Sequence, residues 1–278
     1  MIKSYLTLVL TTLLFVPELF AQGLTNKIPA TSIPFDSVAF SQIKKNLAAL
    51  SVIDFQKRAY FQGDLTLPYR LLSPLHPSGN KKYPLVITLH NSSRMGNDNE
   101  KQLEALSRIW LLPSNRKKFK AYVVAPQFAE RSANYTFDST RKILVAKPSE
   151  TLKSILSLIE QLKKELNIDS NRVYLIGYSM GGSAAQNLMN LRPDLFTAMV
   201  SIAGVPDFSN LEGIKEKPIW LIHGKNDVEN PFEGSEVLYK ELKNIGKVRF
   251  TAYENLDHGT INYPLLFSRE VIDWLLRN

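Results

Sequence analysis

The sequence predicts an α/β protein, with a mostly parallel central sheet, antiparallel strands at its N-terminal edge and helices on both faces. Three observations carry that expectation. Short apolar, β-branched runs at 83–89, 121–125, 172–176, 198–203, 218–222 and 248–253 alternate with helical or irregular stretches. Near the start, residues 56–61 and 65–72 flank Gly63-Asp64 and read as a hairpin, which supplies the antiparallel strands. A turn with glycines at 177 and 181 joins one of the apolar runs directly to a helical pattern.

Taken in order, the chain opens with a targeting pattern. Lys3 precedes an apolar run from Tyr5 to Val16, Pro17 breaks it, and Leu19-Phe20-Ala21-Gln22 offers a cleavage point after Ala21. The expectation is a signal peptide over 1–21, with the product exported to a periplasm or secreted and no stable membrane insertion after cleavage. An uncleaved anchor is the alternative, disfavoured by the shortness of the run. Residues 22–55 form a polar leader and a short helix. Asp36 caps that helix, and Phe40, Ile43, Leu47 and Leu50 share its apolar face. The catalytic domain is expected over 56–278. Within it, helices are predicted at 100–110, 182–190, 233–244 and 267–276. A long one follows the Ser149 cap, with Leu152, Ile155, Leu156, Ile159, Leu162 and Leu166 on one face. The polar and aromatic stretch 127–147, with Tyr135 and Phe137, is expected as a long loop near the site.

Composition removes several function classes. The 278 residues suffice for one large core. The net charge is +8, but the basic residues are scattered and do not alternate with aromatics, so nucleic-acid binding is not indicated. With no cysteine, disulfides, thiolate metal sites and cysteine nucleophiles are excluded.

The chemistry centres on Gly177-Tyr178-Ser179-Met180-Gly181, a G-x-S-x-G pattern between a strand and a helix. In that context the serine sits on a strained turn that exposes its hydroxyl, and the helix that follows directs its first N–H groups at the reacting centre. Ser179 is therefore the candidate nucleophile. A hydroxyl needs a base, and the base needs a carboxylate to hold its tautomer. Of the four histidines, His76 lies in a proline-rich loop, while His90 and His223 close apolar strands and read as structural residues that line the site. His258 follows the last strand and is the candidate base. Asp227 follows the strand ending at Ile222-His223-Gly224 and lies between Ser179 and His258 in the chain, so it is the candidate acid. Asp257, beside the base, is second choice, and Asp207 is a further alternative. The oxyanion donors are expected to be the backbone N–H groups of Met180 and Ser92, with His90, Asn91 and Tyr178 contacting substrate.

The stretch from Asp169 to Gly182 resembles the elbow of exported α/β-hydrolases of the esterase and polyhydroxybutyrate-depolymerase-like group, many of which are labelled predicted peptidases. The resemblance takes in Leu89-His90 through Gly96, Asp98-Asn99, Pro193-Asp194-Leu195-Phe196, Pro218-Ile219-Trp220, His223-Gly224, Asp227 and Asp273-Trp274, and covers roughly 65–278. It implies an α/β-hydrolase fold, a Ser-His-Asp triad and no metal or organic cofactor. It further implies hydrolysis of carboxylic esters that are either small molecules or linked to polysaccharide. A serine peptidase on the same triad is the alternative, and a binding protein on a retired hydrolase fold a more remote one. The chain departs from the group at Asn91 and Ser93, where glycines are usual. It also departs at Ser183-Ala184-Ala185 after the elbow and at Gly259-Thr260-Ile261-Asn262 after the candidate base.

Overall fold

The computed structural model of the protein describes residues 30–278, so the segment expected as a signal peptide lies outside the described residues. Eleven strands appear among those described. They are β1 (Ala30–Thr31), β2 (Phe55–Gln62), β3 (Leu65–Leu72), β4 (Tyr83–Leu89), β5 (Tyr122–Pro126), β6 (Ala133–Asp138), β7 (Ile143–Pro148), β8 (Ile168–Tyr178), β9 (Ala198–Ile202), β10 (Ile219–Gly224) and β11 (Val248–Tyr253). Nine of them form one sheet in the order β1-β11-β10-β9-β8-β4-β5-β3-β2. From β1 to β5 the neighbours pair in parallel, whereas β3 pairs antiparallel with both β5 and β2. This is the α/β-hydrolase architecture, with the antiparallel pair at the expected edge.

The helices are α1 (Ser37–Ala49), α2 (Ala105–Arg108), α3 (Pro113–Lys118), α4 (Glu150–Glu165), α5 (Met180–Leu191), α6 (Leu211–Ile214), α7 (Phe232–Leu242), α8 (Tyr263–Leu266) and α9 (Glu270–Arg277). The two caps legible in the sequence are formed. Asp36 accepts from the N–H groups of Val38 and Ala39, and Ser149 accepts from that of Leu152. On α4, Leu152, Ile155, Leu158, Ile159 and Leu162 are wholly buried against one face of the sheet. Each such side chain contributes roughly 1.5–3 kcal/mol of transfer free energy. On the other face Phe40 and Leu47 of α1 join the core of α2 and α9. The Arg108 guanidinium donates to the carbonyls of Leu47, Ala48 and Leu50, so the N-terminal helix is bound to the catalytic body through its last turn.

Two stretches differ from the sequence reading. The single helix expected over 100–110 is only α2 followed by a 3-10 turn at Ile109–Leu111. Upstream, Asp98 accepts from the N–H groups of Glu100 and Lys101, and Asn99 holds φ +55°, which winds the chain into a tight turn instead. The apolar spacing of Leu103, Leu106 and Ile109 reflects burial of this turn and not a continuous helix. The stretch 127–147, expected as a loop, is mostly a separate two-stranded ribbon in which β6 and β7 pair antiparallel. Its inner residues Ala133 and Ala146 pack on Met180 and Val205.

Candidate active site

The strand order places four loops at one end of the sheet. They follow β4, β8, β10 and β11, and each carries one of the expected site residues. The elbow after β8 is as tight as its glycines require. A Cβ at Gly177 would overlap the Gly181 carbonyl, and one at Gly181 would overlap the carbonyl oxygen of Leu89 at the end of β4. Ser179 between them holds φ +58° and ψ −122°, a strained conformation costing of order 1–3 kcal/mol, and its N–H donates to the carbonyl of Ile202 at 2.8 Å.

Ser179, His258 and Asp227 form one hydrogen-bonded chain. His258 Nε2 lies 2.8 Å from Ser179 Oγ, and His258 Nδ1 lies 2.7 Å from Asp227 Oδ2. A carboxylate oxygen can only accept, so Nδ1 carries the proton and the unprotonated Nε2 accepts from the serine hydroxyl. Asp257 is exposed and turned the other way. Its carboxylate accepts from the N–H and hydroxyl of Thr260. Asp207 is buried elsewhere, where Asn187 Nδ2 and the Ser209 N–H donate to it.

Asp227 has more partners than the sequence reading foresaw. Its Oδ1 accepts from the N–H groups of Glu229 and Asn230 at 3.0 and 2.9 Å. Its Oδ2 also accepts from His223 Nε2 at 3.2 Å. That nitrogen faces the Asn230 carbonyl as well, at 2.8 Å, and since both neighbours are acceptors it must be protonated. His223 Nδ1 in turn lies 2.7 Å from the Ser235 hydroxyl, which holds the ring in place. Burial alone would raise the Asp227 pKa. The hydrogen bonds from His223, His258 and the Asn230 N–H together outweigh it and hold the carboxyl well below the usual carboxylate range. Through Nε2, His223 therefore acts as a fixed donor to Asp227. The signal in the sequence was its position at a strand end four residues before Asp227.

Among the described residues, the loop after β4 presents a single uncommitted backbone N–H between Asn91 and Gly96. Between Asn91 and Gly96, the N–H groups of Asn91, Ser93, Arg94, Met95 and Gly96 donate to Glu104, Asn91, Asn91, Ser92 and Phe128 respectively. The Ser92 N–H has no protein acceptor among the described residues. Met180 opens α5, so its N–H has no partner within the helix either. His90 stands behind this loop at 2% exposure, its Nδ1 donating to the Asn91 carbonyl at 2.7 Å and its Nε2 accepting from the Phe128 N–H at 3.1 Å. Burial, followed by the opposing effect of the Asn91 bond and the charge of Arg94, brings its pKa down to about 4, so it is a neutral brace for the loop.

Two cavities of about 480 Å³ flank the chain at this point. The first contains Ser179 and Ser92 and is walled by Arg131, Asn134, Tyr135 and Asn230. Strand β6 of the ribbon thus contributes to its wall. The Tyr135 hydroxyl lies 3.1 Å from Ser183 Oγ, and the Arg131 guanidinium lies 4.7 Å over the Tyr135 ring. The second is bounded by Asn91, Tyr178 and Gly259 on one side and by Phe40 and Leu47 of α1 on the other. Tyr178 sits between this cavity and His258. Its hydroxyl donates to the His258 carbonyl at 2.6 Å, and the two rings lie 5.2 Å apart. Of the three residues expected to contact substrate, Asn91 and Tyr178 therefore face the second cavity, and His90 faces neither.

A family model described as the dienelactone hydrolase family matches residues 119–263, just over half of the chain. The bifunctional acetylxylan esterase/xylanase XynS20E of Neocallimastix patriciarum is 27% identical over 181 residues, which are 65% of this chain and 24% of that protein. Among solved structures, a thermostable esterase is similar with a TM-score of 0.73 at 33% identity, covering 81% of this chain and 63% of that one. An acylaminoacyl peptidase of Pyrococcus horikoshii shares the fold alone, with a TM-score of 0.56 at 18% identity, covering 88% of this chain and 44% of that one. The chain thus spans less than two thirds of the length of these relatives. Among the described residues no helix is long and apolar enough to cross a membrane.

Proposed function

The chain belongs to the dienelactone hydrolase family, and from that premise we propose that it is a serine hydrolase of carboxylic esters. The observation that carries the reading is the relay from Ser179 Oγ through His258 to Asp227, with separations of 2.8 and 2.7 Å. In it, Ser179 Oγ attacks the ester carbonyl while His258 Nε2 takes its proton. Asp227 stabilises the imidazolium that results. The N–H groups of Met180 and Ser92 bind the oxyanion, and His258 returns the proton to the leaving alcohol. Water, deprotonated by the same imidazole, then releases the acid from the acyl-enzyme.

The substrate in this reading is an ester carried on, or released from, a polysaccharide. Two observations support that choice. The cavity before Ser179 is walled by hydrogen-bonding side chains such as Asn134, Tyr135 and Asn230, which suit hydroxyl-rich ligands. The Neocallimastix patriciarum relative is named as a bifunctional acetylxylan esterase/xylanase, two activities on polysaccharide. Export completes the proposal and rests on Lys3, the apolar run after it and Ala21. The test is labelling with a fluorophosphonate followed by turnover of an acetylated xylooligosaccharide and of a peptide amide. Modification at Ser179 with release of acetate is the expected result. Amide cleavage without ester cleavage would replace the reading with a peptidase.

A further inference from the structure

Asn91 and Ser93 stand where glycines are usual in the group the sequence resembles, yet the loop leaves one N–H free at the position the chemistry needs. The reason lies on the neighbouring turn. Glu104, whose side chain is 11% exposed, receives two bonds from Asn91: the backbone N–H at 3.3 Å and Nδ2 at 2.6 Å. With Nδ2 so held, Asn91 Oδ1 is turned back along the loop. There it accepts from the N–H of Ser93 at 2.9 Å and its hydroxyl at 2.6 Å. The Arg94 N–H closes on the Asn91 carbonyl at 3.1 Å. Every neighbour of the Ser92 N–H is thereby committed, and the fixed loop carries Ser92 into the cavity that holds Ser179.

We infer that Glu104 is a positioning residue, which through Asn91 fixes the backbone that presents the Ser92 N–H to the developing oxyanion. This rests on the serine hydrolase reading above. Glu104 lines the second cavity and not the one that holds Ser179, so its bonds to Asn91 are the link between it and the serine. Both Asn91 groups facing it are donors, so a carboxylate satisfies them and an amide can satisfy only one. The neighbouring cation is Arg94, whose Nε lies 3.8 Å from Glu104 Oε2 on the solvent side, and it does not replace either bond to Asn91. The arrangement does by side-chain bonding what glycines would do by conformational freedom.

The experiment compares Glu104→Gln, Glu104→Ala, Asn91→Ala and the double variant Glu104→Ala/Asn91→Ala with the wild type at pH 8. It reads kcat and KM on a chromogenic acetyl ester and, separately, the rate of fluorophosphonate labelling at Ser179. Loss of one oxyanion donor costs about 10²–10³ in kcat, and misplacing it should cost part of that, roughly 10–100-fold for Glu104→Ala. KM should stay within about threefold, and Glu104→Gln should fall between wild type and Glu104→Ala. The double variant should be no slower than Asn91→Ala alone, because both act through one chain of bonds. Losses that multiply in the double variant, or that appear in KM while kcat holds, overturn the proposal. If Glu104→Ala does not fold, the cycle is run with Glu104→Gln. A wild type that is labelled but hydrolyses no ester sinks the ester reading alone, and the labelling rates still decide the role of Glu104.

Discussion

Replacing Asp227 by Asn tests the centre of the proposed mechanism, and the structure fixes how the change propagates. Oδ1 of Asp227 accepts from two backbone N–H groups, so the amide oxygen of an asparagine must take that place. Its NH2 then falls where Oδ2 now accepts from His258 Nδ1 at 2.7 Å and His223 Nε2 at 3.2 Å, and donor meets donor. His223 keeps its bond to the Asn230 carbonyl. His258 can relieve the clash by moving its proton to Nε2, which leaves nothing to accept the proton of Ser179. The corresponding change in a trypsin-type triad lowers kcat about 10⁴-fold. For Asp227→Asn we expect a loss of at least 10² in kcat on a chromogenic acetyl ester, slower fluorophosphonate labelling, and a folded protein. Asp257→Asn should cost less than about tenfold, since its carboxylate only serves Thr260 and an amide oxygen can accept the same bonds. Equal rates for Asp227→Asn and wild type, or a larger loss at Asp257, would refute the assignment and with it the role given to His223.

Four further outcomes are expected. Ser92→Ala should retain most activity, whereas Ser92→Pro should lose about 10²–10³ in kcat. Asn91 at φ −75° and ψ 169° is already in the region that precedes proline, so the proline removes an N–H without refolding the loop, and equal losses in the pair would point to the hydroxyl. Gly181→Ala drives a methyl into the Leu89 carbonyl and should lower the urea midpoint by the equivalent of about 3 kcal/mol; an unchanged midpoint would show that the elbow can open. For Glu104, burial outweighs Arg94 and the Asn91 N–H and raises the carboxyl from 4.5 to about 7. The folded state then holds its proton longer than the unfolded one, so stability falls as pH rises from about 4.5 through 7. Glu104→Gln should therefore gain on wild type over that window, by about 3 kcal/mol above it, and a difference flat in pH would contradict this. Mass spectrometry of the exported protein should find an N-terminus near Gln22, and an intact Met1 on a cytosolic product would end the export proposal.

What could be read from the sequence was what is set locally. The buried strands announce themselves as apolar runs, the α1 and α4 caps as Asp36 and Ser149, and the elbow as glycines whose absent side chains the turn requires. The relay partners followed from strand ends and chain order, because parallel topology gathers those ends. The ribbon was hidden for a physical reason. Its turn over Ser139-Thr140-Arg141-Lys142 has no glycine, and the conformation with φ +56° that would usually signal one falls on Lys142. Asp138 closes the turn with its own side chain by accepting from the N–H groups of Thr140 and Arg141. Glu104 was hidden because its meaning lies in a contact with Asn91 across a turn that looked helical. His223 was seen as a strand end, and only the fold shows which of its nitrogens meets the acid.

The ribbon of β6 and β7 begins and ends at nearly the same place, for the Ser149 N–H donates to the Ser132 carbonyl at 3.1 Å. A segment whose two feet are tied together is a cassette. Its tip can change in length while the feet keep their spacing, whereas Ala133 and Ala146 near the feet are fixed by their packing on Met180 and Val205. None of Ser179, His258 or Asp227 belongs to it, yet Arg131 at its approach and Asn134 and Tyr135 within it wall the cavity before the serine. In the proposed reading, the residues that wall the cavity and those that form the relay thus lie on different pieces of chain, joined where Ala133 and Ala146 pack on Met180.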